Sequence, residues 1–231
     1  MERQIVKTGE GTWRIEDGFV RFFLLTGTDR ALVIDSGVSG PGVRQLAGSL
    51  TDLPLTLVNT HGDGDHTAGN GDFSSYYIHE ADVRACALTE KFPDSVPQNV
   101  SDGDVFDLGG RTVEVIAIPG HTVGSIALLD TAARTLYSGD SVQDGRIYLF
   151  GAHRDPDRLE ASLEKLASMT DRFDRVCPSH GTPELAPDYV GKVLAAWREV
   201  RAGRVAHHPE SLHGRTVRTF DTPDCGFYWE A

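Results

Sequence analysis

The segment His61-Gly62-Asp63-Gly64-Asp65-His66 constrains this chain most. It puts two imidazoles and two carboxylates on a glycine-rich loop directly after the apolar run 55–58. Imidazole nitrogen and carboxylate oxygen are the usual ligands of divalent ions. The glycines let the backbone bend so that several of them can point at one place. Three later positions repeat the arrangement. His121 follows the apolar run 112–118, Asp140 follows 135–138 and His180 follows 175–177, each flanked by Gly, Ser or Pro. Taken singly, each also suits an ordinary turn, since turns favour Gly, Pro, Ser and Asp. Together they call for a rigid scaffold of strands whose ends carry chemistry on loops.

The remaining pattern supplies such a scaffold. Residues 19–26 and 31–35 are β-rich runs separated by a Gly-Thr-Asp turn, which predicts a hairpin. Strands are also expected at 76–78, 104–108 and 125–129. Apolar spacing predicts helices over 41–50, about 80–90, 156–168 (with Asp155 as N-cap) and 187–206. Residues 91–103 and 145–155 read as loops, and the tail from 216 adds an edge strand. The two β-rich halves predict two packed sheets with helices outside, in one domain over residues 1–231.

In this order the motifs resemble the metallo-β-lactamase superfamily, whose signature is a His-x-His-x-Asp-His loop, a further His, a bridging Asp and a final His. The resemblance covers roughly residues 20–185 and implies an αββα sandwich, an α/β fold of two mixed sheets with helices on the outer faces. It implies one metal held by His61, His121 and the residue at 63, a second held by Asp65, His66 and His180, and Asp140 between them. Asp35, in Val33-Ile34-Asp35-Ser36-Gly37, would support the metal loop without binding metal. Two divalent ions are implied, zinc first, with iron or manganese as alternatives. They would generate a bridging hydroxide that attacks an ester, thioester, lactone or related carbonyl substrate. Asp65 would orient that nucleophile. Glyoxalase II and lactonases share the overall pattern.

The chain departs from the signature at Asp63, where the family has histidine. We expect Asp63 to be a metal ligand; the alternative is that it hydrogen-bonds a neighbouring ligand. Flavodiiron proteins carry glutamate there, which leaves a di-iron oxidoreductase with a separate electron donor as the alternative function. Tyr148 and Phe150, on the loop after Asp140, are expected to hold an apolar part of a small-molecule substrate; they equally fit as caps on the core. His153, on the same loop, is expected to be structural.

Composition narrows the classes of partner. The formal net charge of -12 supplies no basic face for nucleic acid. No apolar stretch is long enough to span a bilayer. The three cysteines do not make a disulfide framework, and residues 1–7 contain no signal-like apolar region. These features predict a cytoplasmic protein without nucleic-acid or membrane partners.

Overall fold

The computed structural model describes residues 3–230. Seven strands form the first sheet in sequence order: β1 (Gln4–Gly9), β2 (Thr12–Asp17), β3 (Val20–Thr26), β4 (Ala31–Ile34), β5 (Leu55–Val58), β6 (Ser75–Ile78) and β7 (Val96–Asn99). β1 to β4 pair antiparallel, and β4 to β7 pair parallel. The parallel crossovers carry α1 (Val43–Leu50), α2 (Gly64–Thr67), α3 (Glu80–Ala85) and α4 (Leu88–Lys91). The chain continues through β8 (Val105–Asp107), β9 (Thr112–Ala117), β10 (Ile126–Asp130), β11 (Thr135–Gly139), β12 (Arg146–Leu149), α5 (Pro156–Ala167), β13 (Arg175–Pro178), α6 (Tyr189–Arg201), β14 (His207–Leu212), β15 (Arg215–Asp221) and β16 (Gly226–Trp229). The second sheet has the order β13-β11-β10-β9-β8.

Period-two alternation sorts the side chains into layers. Phe23, Leu25, Leu32 and Ile34 face inward and meet Val113, Val115, Ile126 and Leu128 of the opposite sheet. Their neighbours Phe22, Leu24, Ala31 and Val33 face outward and pack beneath Val43 and Ala47 of α1 and Leu88 of α4. On the far side, Ile116, Ala127, Leu129 and Leu136 lie under α5 and α6. Leu159, Leu163 and Leu166 of α5 are each fully buried there. Each contributes about 1.5–3 kcal/mol relative to an exposed position. The layers are therefore helix, sheet, sheet, helix, the αββα sandwich expected.

The structure departs from the sequence reading in several places. A third sheet, β12-β16-β15-β14, stands where one edge strand was expected, and part of the 145–155 loop is its strand β12. The β1–β2 hairpin was not anticipated, and β7 lies within the expected 91–103 loop. The helix expected over 80–90 is broken into α3 and α4 by Ala87, whose φ is 52°. The last helix starts two residues later and ends five residues earlier than expected, and Asp155 makes no side-chain cap hydrogen bond. No helix among the described residues is long and apolar enough to cross a membrane.

Candidate metal centre

Topology explains why distant loops meet. β9 and β11 both run antiparallel to β10, and β13 runs parallel to β11. The C-terminal ends of β9, β11 and β13 therefore share one end of the sheet, where His121, Asp140 and His180 follow them. The β5 end of the facing sheet is tied to this place by the Ile126 amide, which donates to the Thr60 carbonyl at 2.8 Å. There the chain delivers His61 and Asp63, then Asp65 and His66 on the short helix α2. Gly139 turns the chain into Asp140 with φ 53°, a conformation that favours glycine.

All seven expected residues converge. His61 Nε2 lies 3.2 Å from His121 Nε2 and 3.6 Å from Asp63 Oδ2, and His121 Nε2 lies 3.3 Å from Asp63 Oδ2. His180 Nε2 lies 3.4 Å from Asp65 Oδ2, and His66 Nε2 lies 3.8 Å from it. Asp140 joins the two groups. Its Oδ1 is 3.3 Å from His66 Nε2, and its Oδ2 is 3.2 Å from His180 Nε2 and 3.6 Å from His121 Nε2.

The second ring nitrogen of each histidine is already committed. His121 Nδ1 meets the Tyr148 carbonyl at 3.0 Å, and His180 Nδ1 meets the Phe19 carbonyl at 2.9 Å. His66 Nδ1 meets Asp35 Oδ2 at 2.9 Å. His61 Nδ1 meets the Thr60 hydroxyl at 3.0 Å, and that hydroxyl donates its own proton to Asp35 Oδ2. These partners accept, so each Nδ1 donates and each Nε2 presents its lone pair to the cluster. Ligating histidines characteristically use their other nitrogen in this way.

The donor set fits divalent ions. Two nitrogens about 2.0–2.1 Å from one tetrahedral ion stand about 3.3 Å apart, close to the 3.2 Å between His61 and His121. His66 Nε2 and Asp140 Oδ1 are buried with no hydrogen-bond partner. Such atoms are costly unless something completes them, and a cation between nitrogen and carboxylate oxygen would do so.

The protein's own charges also favour positive charge here. Burial pushes His66 and His180 down, but Asp140 overrides it, raising His66 well above its usual range and His180 to about 10. A proton or a metal ion meets that demand at the same nitrogen. Burial would raise Asp63, yet the adjoining His121, His153 and His61 hold it well below the carboxylate range. Asp140 is held well below its range against burial by His180 and His66. His121 is different: burial, then the neighbouring Arg154 guanidinium, lower it to about 4.

A supporting frame fixes the loops. Asp35, buried at φ 65°, accepts from the Thr60 amide at 2.7 Å besides Thr60 Oγ1 and His66. It thus supports the loop, as the resemblance implied. Asn59 Nδ2 and Ser36 Oγ both donate to the His66 carbonyl. Arg21 holds the His180 loop by donating to the Pro178, His180 and Gly181 carbonyls.

Two functional positions escaped the sequence reading. Asp82 is fully buried and accepts from Gly62 N at 2.8 Å, Thr122 Oγ1 at 2.7 Å and Gly124 N at 2.7 Å. It ties the His61–Asp63 loop to the His121 loop. Arg154 donates to Asp63 Oδ2 at 2.7 Å, and His153 Nε2 lies 3.1 Å from Asp63 Oδ1. His153 therefore contacts the cluster through Asp63. No local sequence signal marks Asp82; the position of 153 and 154 on the loop after Asp140 was the one available for Arg154.

Asp63, Asp65, His121, Asp140 and His180 open onto a cleft of about 960 Å³, with Phe19, Tyr148, Phe150, His213 and Tyr228 also lining it. Tyr148 and Phe150 are thus part of its lining. Phe150 is also a core cap, buried with Val217 and Tyr228. The third sheet supplies Tyr148 and Tyr228, whose rings are 4.8 Å apart.

Comparison with known proteins bears on the family and the fold. The family model Lactamase_B, metallo-beta-lactamase superfamily, matches residues 15–206. The human acyl-coenzyme A thioesterase MBLAC2 is 27% identical over 241 residues, covering 80% of this chain and 85% of its own length. The hydroxyacylglutathione hydrolase of Roseobacter denitrificans is 32% identical over 147 residues, covering 62% of this chain and 55% of its own. A solved metallo-beta-lactamase from Pontibacter korlensis superposes with a TM-score of 0.71 at 18% identity, covering 85% of this chain and 99% of that one. Both sequence relatives are hydrolases, and the superposition supports the fold.

Proposed function

The chain belongs to the metallo-beta-lactamase superfamily, and from that premise we propose that it is a metal-dependent hydrolase of a small carbonyl substrate, an ester, thioester or lactone. Among these a thioester is our first choice, supported by the thioesterase relative. One observation carries the reading: four imidazole Nε2 atoms and the carboxylates of Asp63, Asp65 and Asp140 converge on the floor of an aromatic-walled cleft.

Asp65, His66, His180 and Asp140 would hold one divalent ion; His61, Asp63, His121 and Asp140 are the donor set for another. When bound, such ions supply Lewis acidity toward the substrate carbonyl and a water acidified toward neutral pH. Zinc is our first choice, and the three carboxylates keep manganese or iron in contention. Asp65, with its side chain 24% exposed at the cleft floor, can accept a hydrogen bond from the attacking water and orient it. Tyr148, Phe150, Phe19 and Tyr228 offer apolar surface to the acyl part. Asp35, through Thr60 and His66, keeps two imidazoles in the orientation binding requires.

The test is elemental analysis of protein purified without added metal, followed by assay on a panel of acyl thioesters, aryl esters and lactones. Hydrolysis that disappears with a chelator and returns with zinc or manganese is expected. Metal-loaded protein inert on the panel, yet reducing oxygen or nitric oxide with an electron donor, would replace this reading with the di-iron redox one, which has no such support from the relatives.

A further inference from the structure

The two halves of the cluster differ in one respect. The Asp65–His66–His180 half relies on buried atoms without partners, His66 Nε2 and Asp140 Oδ1. The His61–Asp63–His121 half already has a fixed cation. Arg154, with its side chain only 9% exposed, places Nη2 2.7 Å from Asp63 Oδ2. Its Nη1 is 3.1 Å from His121 Nε2 and 3.1 Å from the His121 carbonyl. The guanidinium is held there by its loop. The Val123 amide donates to the His153 carbonyl, and the Asp155 amide donates to the Gly120 carbonyl, docking residues 153–155 against the His121 turn. His153 braces the other oxygen of Asp63.

His121 Nε2 has a single lone pair, because Nδ1 donates to Tyr148. Arg154 donates a hydrogen bond into that lone pair, and a metal ion on the same nitrogen needs the same electrons. The two uses exclude each other. Charge points the same way. Asp63, Asp65 and Asp140 bring three negative charges to the cluster, and Arg154 together with one divalent ion neutralises them. A second ion beside Arg154 would exceed these three carboxylates by two positive charges, which the buried Asp35 carboxylate behind His66 offsets only in part. An uncompensated buried charge is strongly unfavourable.

We infer that Arg154 stands in for one of the two metal ions: the chain takes up one divalent ion tightly at Asp65, His66, His180 and Asp140, and a second enters the His61–Asp63–His121 half only when the guanidinium leaves it. Arg154 is thus a positioning residue that sets metal stoichiometry, with Asp63 as its partner. The inference rests on the metal-dependent reading.

The experiment is zinc titration of chelator-stripped whole protein by calorimetry, with bound zinc counted by elemental analysis after desalting. The unaltered chain should retain one equivalent and bind the second at least about tenfold more weakly. In Arg154→Gln the second equivalent should tighten by about 10–100-fold and survive desalting. Two equally tight equivalents in the unaltered chain would overturn the inference and leave the hydrolase reading standing. So would an unchanged second affinity in Arg154→Gln. Failure of the unaltered chain to bind zinc, or manganese or iron in its place, would overturn both. The stoichiometry of the unaltered chain decides the matter even if the variant does not fold, and Arg154→Met offers a second neutral replacement of similar length.

Discussion

Replacing Asp82 with asparagine tests whether the cluster is held by its supporting frame. In the structure Oδ2 accepts from Gly62 N and Thr122 Oγ1, and Oδ1 accepts from Gly124 N. Asparagine has one acceptor oxygen. Turned to keep the two bonds at Oδ2, it sets its NH2 against the Gly124 N–H, donor against donor. The orphaned amide costs about 1–3 kcal/mol, and each surviving bond loses its charge assistance, about 1 kcal/mol apiece. Relief from burying a carboxylate offsets part of this, leaving a loss of about 2–4 kcal/mol. A loss near 3 kcal/mol lowers the melting temperature of a chain this size by roughly 6–12 °C. Thermal unfolding of Asp82→Asn in excess chelator measures the frame without metal. Gly62 separates His61 from Asp63, and Gly124 lies three residues after His121, so metal affinity should also fall by about 10–100-fold. A chelated variant melting within about 1 °C of the parent would refute the assigned role of these three bonds.

Three further outcomes are expected. A Cβ on Gly120 would lie 2.9 Å from Leu159 Cα and Cβ; Gly120→Ala should therefore push α5 away, costing about 1–3 kcal/mol in urea unfolding, and a neutral result would contradict the close packing. In chelated protein, His180 is raised to about 10 from 6.5. Its stabilising contribution is complete below pH 6.5 and is lost as pH rises toward 10, so melting temperature should fall across that window and fall less steeply in His180→Gln; equal slopes would remove His180 as the cause. Tyr148→Ala should raise KM for an apolar acyl substrate about tenfold with little change in kcat, since the side chain lines the cleft and it is the backbone carbonyl that holds His121; an unchanged KM would take Tyr148 out of substrate binding.

What the amino-acid order determines alone is local. Strand alternation in residues 19–26, 31–34 and 112–117 already sorts inward from outward faces, because neighbours in a strand point to opposite sides whatever the rest of the chain does. Ligand-type residues just past such strands, with glycines to turn them, mark the loops that carry His61, Asp63, Asp65, His66, His121, Asp140 and His180. Tertiary structure decides what has no local signature. β1 and β14 are largely exposed and lack a buried apolar face, so nothing in their composition announced strands; pairing with β2 and β15 makes them so. Asp82 reads as a solvated acid in the first turn of a helix, and Arg154 as a loop cation. Asp82 becomes a buried acceptor only through contacts 20 to 42 residues away, and Arg154 becomes the partner of Asp63 only across 91. Charge compensation depends on distance in space, and the chain's order alone does not contain that distance.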